Sequence, residues 1–283
     1  MIALRTVPDH IVRPPYARPG GETGERPGLI KSDALIGRMR RAGRVAREVL
    51  DEVLAAVAIG VTTDELDRVC HEVTIAKGGY PSPLDYRGFP KSLCTSINEV
   101  VCHGIPSARR LVDGDIINCD VTVYLDGVHG DCSETVFVGT PSLVHKVLVE
   151  RTYEALRRGI EIVRPGVRFN EIGRAIERYV APFGYGIVRE FGGHGIGELF
   201  HMPPNIVHAY ERRERLKMQA GMTFTIEPML NVCDPRCAIL ADGWTAVTVD
   251  GKASAQFEHT VLVTPDGHEV LTLCADPRPF FQR

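Results

Sequence analysis

Four acidic side chains and one histidine stand in local sequence that otherwise looks buried, and the closest-set pair comes first. The run Asn118-Cys119-Asp120-Val121-Thr122-Val123-Tyr124-Leu125-Asp126-Gly127-Val128-His129-Gly130-Asp131 reads as a β-hairpin turning at Asp126-Gly127, the dipeptide that type I′ turns favour. A two-residue turn sets Leu125 opposite Val128, Thr122 opposite Asp131 and Asp120 opposite Ser133. Asp120 and Asp131 then share a face as diagonal neighbours, with backbones ~7–8 Å apart. Carboxylates so placed can converge on two metal ions ~3.5–4 Å apart, the spacing of two-metal hydrolases. A single acid at 120 would read as a solvated or capping residue. Two on one face of an apolar-flanked hairpin need a counter-charge, and a cation supplies it.

Three more segments have this character. Phe191-Gly192-Gly193-His194-Gly195-Ile196-Gly197 holds a histidine between glycines, which would let the backbone approach a bound group closely. Thr223-Phe224-Thr225-Ile226-Glu227-Pro228-Met229 and Ala255-Gln256-Phe257-Glu258-His259-Thr260-Val261 each put an acid in an apolar strand. A lone strand acid usually pairs with a buried arginine. Four carboxylates with one imidazole form a set suited to divalent Mn, Fe, Co or Zn.

The elements that must position these groups follow from periodicity. With 283 residues and 44% hydrophobic content, the chain can bury one large α/β domain more readily than two small ones. Ile36, Met39, Val45, Val49, Val53 and Val57 recur at helical spacing and Gly60 follows as a stop. A second helix opens with the capping-box pattern Thr62-x-x-Glu65 and ends at Gly78-Gly79. Strand-rich runs come next over 92–97, 116–124 and 128–138. Helices return at about 143–163 and 170–183, and a second strand-rich stretch runs from Ile187 onward. The repeated order suggests a duplication. Gly60-Val61 and Glu65 match Gly166-Val167 and Glu171, and the run ending in Asp120 matches the run ending in Glu227 at an offset of 227 − 120 = 107. Two such halves facing one another would bring both acids to a shared cleft.

Residues 1–32 precede this pattern. Five prolines (Pro8, Pro14, Pro15, Pro19, Pro27) and four glycines (Gly20, Gly21, Gly24, Gly28) within 1–30 disfavour helix and central strand, so an extended arm is expected, lying along the domain or docking a partner.

Taken together, Tyr80-Pro81-Ser82-Pro83-Leu84, Asn98-Glu99-Val100-Val101-Cys102-His103-Gly104-Ile105-Pro106, Gly193-His194-Gly195-Ile196-Gly197 and Ser254-Ala255-Gln256-Phe257-Glu258-His259-Thr260 resemble the type I methionine aminopeptidases, a branch of the pita-bread metallopeptidase family. The resemblance covers roughly 33–274. It implies an α/β (α+β) catalytic domain over 33–283, with two pseudo-symmetric halves around a central antiparallel sheet and helices outside. It implies Asp120, Asp131 and Glu258 on one divalent ion, and Asp131, His194, Glu227 and Glu258 on the other, so that Asp131 and Glu258 bridge. The reaction implied is attack of metal-activated water on the first peptide bond, with Glu227 as proton acceptor and His103 and His201 contacting the scissile peptide. Taken alone, either histidine would read as a structural residue. Anchoring of the substrate's free amine restricts cleavage to the first residue. Tyr86, Phe89, Cys94, Phe200 and Trp244 align with the methionine pocket, where Cys94 would offer a thiol to covalent inhibitors. The resemblance further implies a sodium or potassium ion on the backbone carbonyls of Asn98, Val100 and Ser254. Cys132 departs from the threonine of many relatives. The arm resembles the short proline-bearing extension of some bacterial members, which suggests contact with the ribosome or another partner.

Composition narrows the remainder. A net charge of −3 and a pI near 6.4 give no global attraction to nucleic acid or anionic membrane. No apolar run spans a bilayer and the first residues lack a signal-peptide core, so a cytoplasmic protein is expected; the resemblance implies a monomer acting on N-terminal methionine peptides and nascent chains. The eight cysteines are irregularly placed, so free thiols are expected; Cys233-x3-Cys237 has no second pair to complete a zinc site. The nearest rival is a proline-specific aminopeptidase or dipeptidase of the same fold, which usually carries a large extra N-terminal domain. A non-catalytic binding relative or a creatinase-like hydrolase would typically lose metal ligands, and none is missing.

Overall fold

A computed structural model describes residues 5–18, 27–273, 276 and 278–283. Cys274 and the arm residues Pro19, Gly20, Gly21 and Gly24 lie outside them. The helices are α1 (Asp33–Ala55), α2 (Thr63–Ala76), α3 (Leu143–Glu161) and α4 (Asn170–Val180). The first-half strands are β1 (Tyr80–Pro81), β2 (Cys94–Ile97), β3 (Val100–Cys102), β4 (Ile116–Leu125) and β5 (Val128–Phe137). Those that follow are β6 (Gly186–Ile187), β7 (Gly193–Gly195), β8 (Met202–Ile206), β9 (Thr223–Ile226), β10 (Met229–Asn231), β11 (Cys237–Ile239), β12 (Ala246–Thr248), β13 (Ser254–Gln256), β14 (Glu258–Val263) and β15 (His268–Val270).

Local chemistry sets the helix starts. Ser32 caps α1 by accepting the Leu35 amide, and Thr62 with Glu65 closes a reciprocal capping box on α2. The hairpin register is the one the turn dipeptide predicts, with Thr122 opposite Asp131 and Asp120 opposite Ser133. Asp126 (φ 53°) and Gly127 (φ 84°) both take the left-handed backbone that a type I′ turn demands.

The main sheet runs β1-β4-β5-β14-β9-β7-β8, with β2 paired to β4 and β15 to β14. Its pairings are antiparallel. The strand order has an approximate twofold character about the β5–β14 seam: Asp131 and Glu258 sit on the two central strands, Asp120 on β4 and Glu227 just past β9. Two apolar cores match this division. One joins α1 and α2 to β4 and β5 through Val49, Leu50, Val53, Leu66, Val121 and Val123; the other joins α3 and α4 to β9 and β14 through Leu156, Ile172, Ile176, Phe224 and Val261. Helix α1 approaches β5 so closely at Gly130 that a Cβ there would meet the Ala42 backbone at 2.5 Å. That contact seats the backbone beside Asp131.

Candidate metal centre and substrate pocket

Asp131, His194 and Glu258 bring ligand atoms within 4.8 Å of one another, all three buried. His194 Nε2 lies 3.7 Å from both Asp131 Oδ2 and Glu227 Oε1. Asp120 completes the group across the hairpin and lines the same cavity. Burial pushes all four carboxyls above their usual range; Asp131 is raised further by Asp120, and Glu258 by Asp131 and Glu227. No arginine or lysine pairs with any of the four among the described residues.

His194 shows what this cluster lacks. Its Nδ1 lies 3.1 Å from the Gly195 carbonyl, which can only accept, so the proton sits on Nδ1. Burial lowers its pKa to about 4, which keeps the ring neutral. Nε2 therefore offers a lone pair, and no N–H, to the two carboxyl groups it faces. A divalent cation satisfies that arrangement, and the oxygen-rich donor set with one imidazole fits such an ion. Asp120, Asp131, His194, Glu227 and Glu258 are the residues that would hold it.

Three side chains to which the sequence reading gave no role orient these ligands. Thr122 Oγ1 donates to Asp131 Oδ1 at 2.7 Å, Thr225 Oγ1 donates to Glu227 Oε1 at 2.7 Å, and Gln256 Nε2 donates to Glu227 Oε2 at 3.2 Å. The Glu227 amide also donates to His208 Nε2 at 3.0 Å. Period-two spacing was a usable signal for all three, since 122 lies two residues after 120, 225 two before 227, and 256 two before 258. The glycines flanking His194 have a role beside the one expected. A Cβ on Gly193 would meet the Thr225 carbonyl at 2.2 Å, and one on Gly195 would meet the Pro203 carbonyl at 2.1 Å. They let β7 lie tightly between β8 and β9, and Gly192 and Gly193 also line the cavity beside His194.

A cavity of about 360 Å³ joins the ligands to the other predicted residues: Tyr86, Phe89, Cys94, Phe200, Trp244, His103 and His201 all line it. Cys94 enters beside Asp120 because β2 pairs with β4 there. Phe89 packs edge-on against Trp244, with centroids 5.2 Å apart. His103 turns inward from a left-handed backbone (φ 57°) against Phe191, and burial lowers its pKa to about 4. His201 Nδ1 lies 3.1 Å from the Tyr86 hydroxyl, and burial holds its pKa well below the usual value. A second cavity of about 340 Å³ opens past His103, Glu227 and Asn205 toward Arg189, Phe191, Gly192 and Met229. Near the predicted cation residues, the Ser254 amide donates to the Asn98 carbonyl at 2.8 Å, and β13, which begins at Ser254, lies against β3, which begins at Val100. The buried Ser254 hydroxyl has no hydrogen-bond partner among the described residues.

Buried carboxylates and a neutral imidazole lining a two-lobed cleft define a metal-dependent hydrolase. Residues 37–265 match the family model described as Metallopeptidase family M24. The chain is 54% identical over 274 residues to Methionine aminopeptidase 1A of Arabidopsis thaliana, covering 95% of this chain and 69% of that one. It is 51% identical over 269 residues to Methionine aminopeptidase 2 of Mycobacterium tuberculosis, covering 95% and 94%. The crystal structure of methionine aminopeptidase from Rickettsia prowazekii superposes with a TM-score of 0.84 at 46% identity, covering 86% of this chain and 99% of that one. The chain belongs to metallopeptidase family M24, in its methionine aminopeptidase branch, and its fold is the pita-bread fold.

Proposed function

We propose that this chain removes the N-terminal methionine from nascent polypeptides in the cytoplasm, favouring a small second residue and acting as a monomer. The observation that carries the reading is the single cavity uniting the five ligands, both outer histidines and the apolar, aromatic pocket. Tyr86, Phe89, Phe200 and Trp244 with the Cys94 thiol suit an unbranched thioether. The second lobe, walled by Phe191, Gly192 and Met229, takes the chain beyond the scissile bond. Divalent cations held by Asp120, Asp131, His194, Glu227 and Glu258 would supply Lewis acidity and the charge that lets a water lose its proton near neutral pH.

The protein's own groups do the rest. Thr225 and Gln256 fix both oxygens of Glu227, aiming it to take the proton of the attacking water. Burial keeps the Tyr86 phenol protonated, so its hydroxyl can donate to His201 Nδ1, the arrangement that puts the His201 proton on Nε2. That N–H and the neutral His103 ring stabilise the carbonyl oxygen of the scissile bond as it gains charge. A sodium or potassium ion on the Asn98, Val100 and Ser254 carbonyls would brace the loop before β3, and the partnerless Ser254 hydroxyl supports that reading. Residues 1–32 are the segment through which ribosome contact would run; co-sedimentation of full-length and shortened protein with ribosomes tests it.

Metal-depleted protein titrated with Co, Mn, Fe or Zn is expected to release methionine from Met-Ala-Ser and to leave Leu-Ala-Ser and Ala-Pro-Ser intact. Preference for the proline peptide would assign the proline-specific activity instead, and absence of turnover with every metal would leave a binding role.

A further inference from the structure

The arm expected as a surface or partner-docking segment reaches the wall of the substrate pocket. Its described residues are pinned in sequence. Arg5 bonds Asp67 Oδ2 and the Asp64 carbonyl, each at 2.6 Å, and the Thr6 carbonyl lies 3.0 Å from His71 Nε2. Val7 and Ile11 then bury against Tyr80, Leu84 and Tyr124. The short turn Pro15–Ala17 brings in Tyr16, whose hydroxyl donates to the Ser82 carbonyl at 2.6 Å.

Tyr16 does not line the substrate cavity itself but a smaller one of about 190 Å³ beside it, shared with Tyr86, His129, Phe200 and His201, and two walls of the substrate pocket rest on it. Its ring meets Tyr86 edge-on at 5.0 Å, and Tyr86 in turn packs on Phe200 at 4.8 Å and on His201 at 5.1 Å. Tyr16 also lies parallel to His129 at 6.3 Å, and His129 stacks on Phe200 at 5.3 Å. Ser82 ties the two routes together, because its hydroxyl lies 2.8 Å from His129 Nδ1. Tyr86 needs such support. Its neighbours Asp85 (φ 64°) and Arg87 (φ 51°) both hold left-handed backbone, a conformation that persists in non-glycine residues only where surrounding contacts over-determine it.

We propose that Tyr16 of the N-terminal arm is a positioning residue for catalysis, bracing Tyr86 and through it the His201 ring. The proposal rests on the reading of His201 as a group that contacts the scissile peptide. Full-length, metal-loaded Tyr16→Ala is expected to lose about tenfold in kcat on Met-Ala-Ser, with KM moved by less than about threefold, because misorientation acts on the transition state more than on ground-state binding. Tyr16→Phe keeps the ring and is expected to stay within about twofold of the unaltered enzyme. In a Tyr86→Phe background, which removes the hydroxyl from His201, Tyr16→Ala is expected to cost little more. Ile11→Ala loosens the arm away from Tyr86 and serves as the packing control.

A readout independent of turnover is the ¹⁵N-histidine NMR signal of His201, assigned through His201→Asn, which is expected to shift in Tyr16→Ala and not in Ile11→Ala. Unchanged kcat, an undiminished loss in the Tyr86→Phe background, an equal loss in Ile11→Ala or an unmoved His201 signal would each overturn the brace. If the unaltered protein turned over no methionine peptide while the His201 signal still shifted, the functional reading would fail and the brace would stand.

Discussion

Glu227 concentrates the chemistry at the scale of single residues. Both of its oxygens are held by neutral donors, so Glu227→Gln is close to isosteric but has no proton acceptor. It is expected to lower kcat by about 10²–10⁴-fold, measured as methionine release at saturating metal; retention of activity within tenfold would remove Glu227 from that role. Cys94 sets geometry against chemistry. It lines the methionine pocket, yet burial, with Asp120 beside it, pushes its thiol pKa well above the usual value and leaves little thiolate. Iodoacetamide is therefore expected to alkylate metal-depleted native protein at least about tenfold more slowly at Cys94 than at exposed Cys233, as read by peptide mass spectrometry. Comparable rates would mean the pocket is wetter than its walls suggest. Asp120, Asp131, Glu227 and Glu258 were visible in the sequence because a strand acid among apolar residues is conspicuous. Thr122, Thr225 and Gln256 were not singled out, because hydroxyl and amide side chains are common in strands and only their partners give them meaning.

At the scale of elements, the hairpin and the helix caps were legible because each is decided within a few residues. Asp126-Gly127 alone fixes a register that puts Asp120 and Asp131 on one face. The glycines around His194 were legible as necessary, but their packing role was not, since nothing local says that β7 will lie between β8 and β9. That placement yields a prediction. Gly193→Ala drives a methyl group into the Thr225 carbonyl, so β7 must shift and carry His194 with it. Stability is expected to fall by about 1–3 kcal/mol, with weaker metal binding, in denaturation and in metal titration. A loss of stability with metal affinity untouched would show that His194 can be re-seated independently of its strand.

For the whole molecule, a buried set of ionised acids is tolerable only with its cations, and this makes stability a readout of the site. Adding Mn to metal-depleted protein at a hundredfold excess over its Kd is expected to raise stability by about 2.7 kcal/mol, seen as a higher Tm; no change would argue against occupancy of this cluster. The pH dependence has a definite sign. Burial raises Asp120 to about 7 and Glu227 to about 8, so the folded metal-free protein holds protons that the unfolded chain has already released. Stability of that form is thus full at low pH and lost as pH rises through those values. The buried histidines act oppositely, since His129, His208 and His259 are lowered to about 3 and cost stability only as pH falls below about 6.5. Between about pH 6.5 and 8.5 the acids act alone, so metal-free protein is expected to weaken as pH rises while Mn-loaded protein stays level, by denaturant midpoint. A flat profile without metal would mean the carboxyls ionise freely.

The sequence by itself determined the acidic pairs, the order of elements repeated across two halves and the hairpin register, because each depends on residue type and on spacing within one or two elements. The resemblance added the roles that no spacing carries. Only the tertiary structure decided that Asp120 and Glu227 flank the β5–β14 seam, that Thr225 and Gln256 aim Glu227, and that Tyr16 supports Tyr86 from behind. These last are contacts between segments distant in the chain, 70 residues apart in the case of Tyr16 and Tyr86 (86 − 16 = 70). A proline-rich arm leaves no periodic trace of where it will dock, so that contact could be known only once the chain had closed on itself.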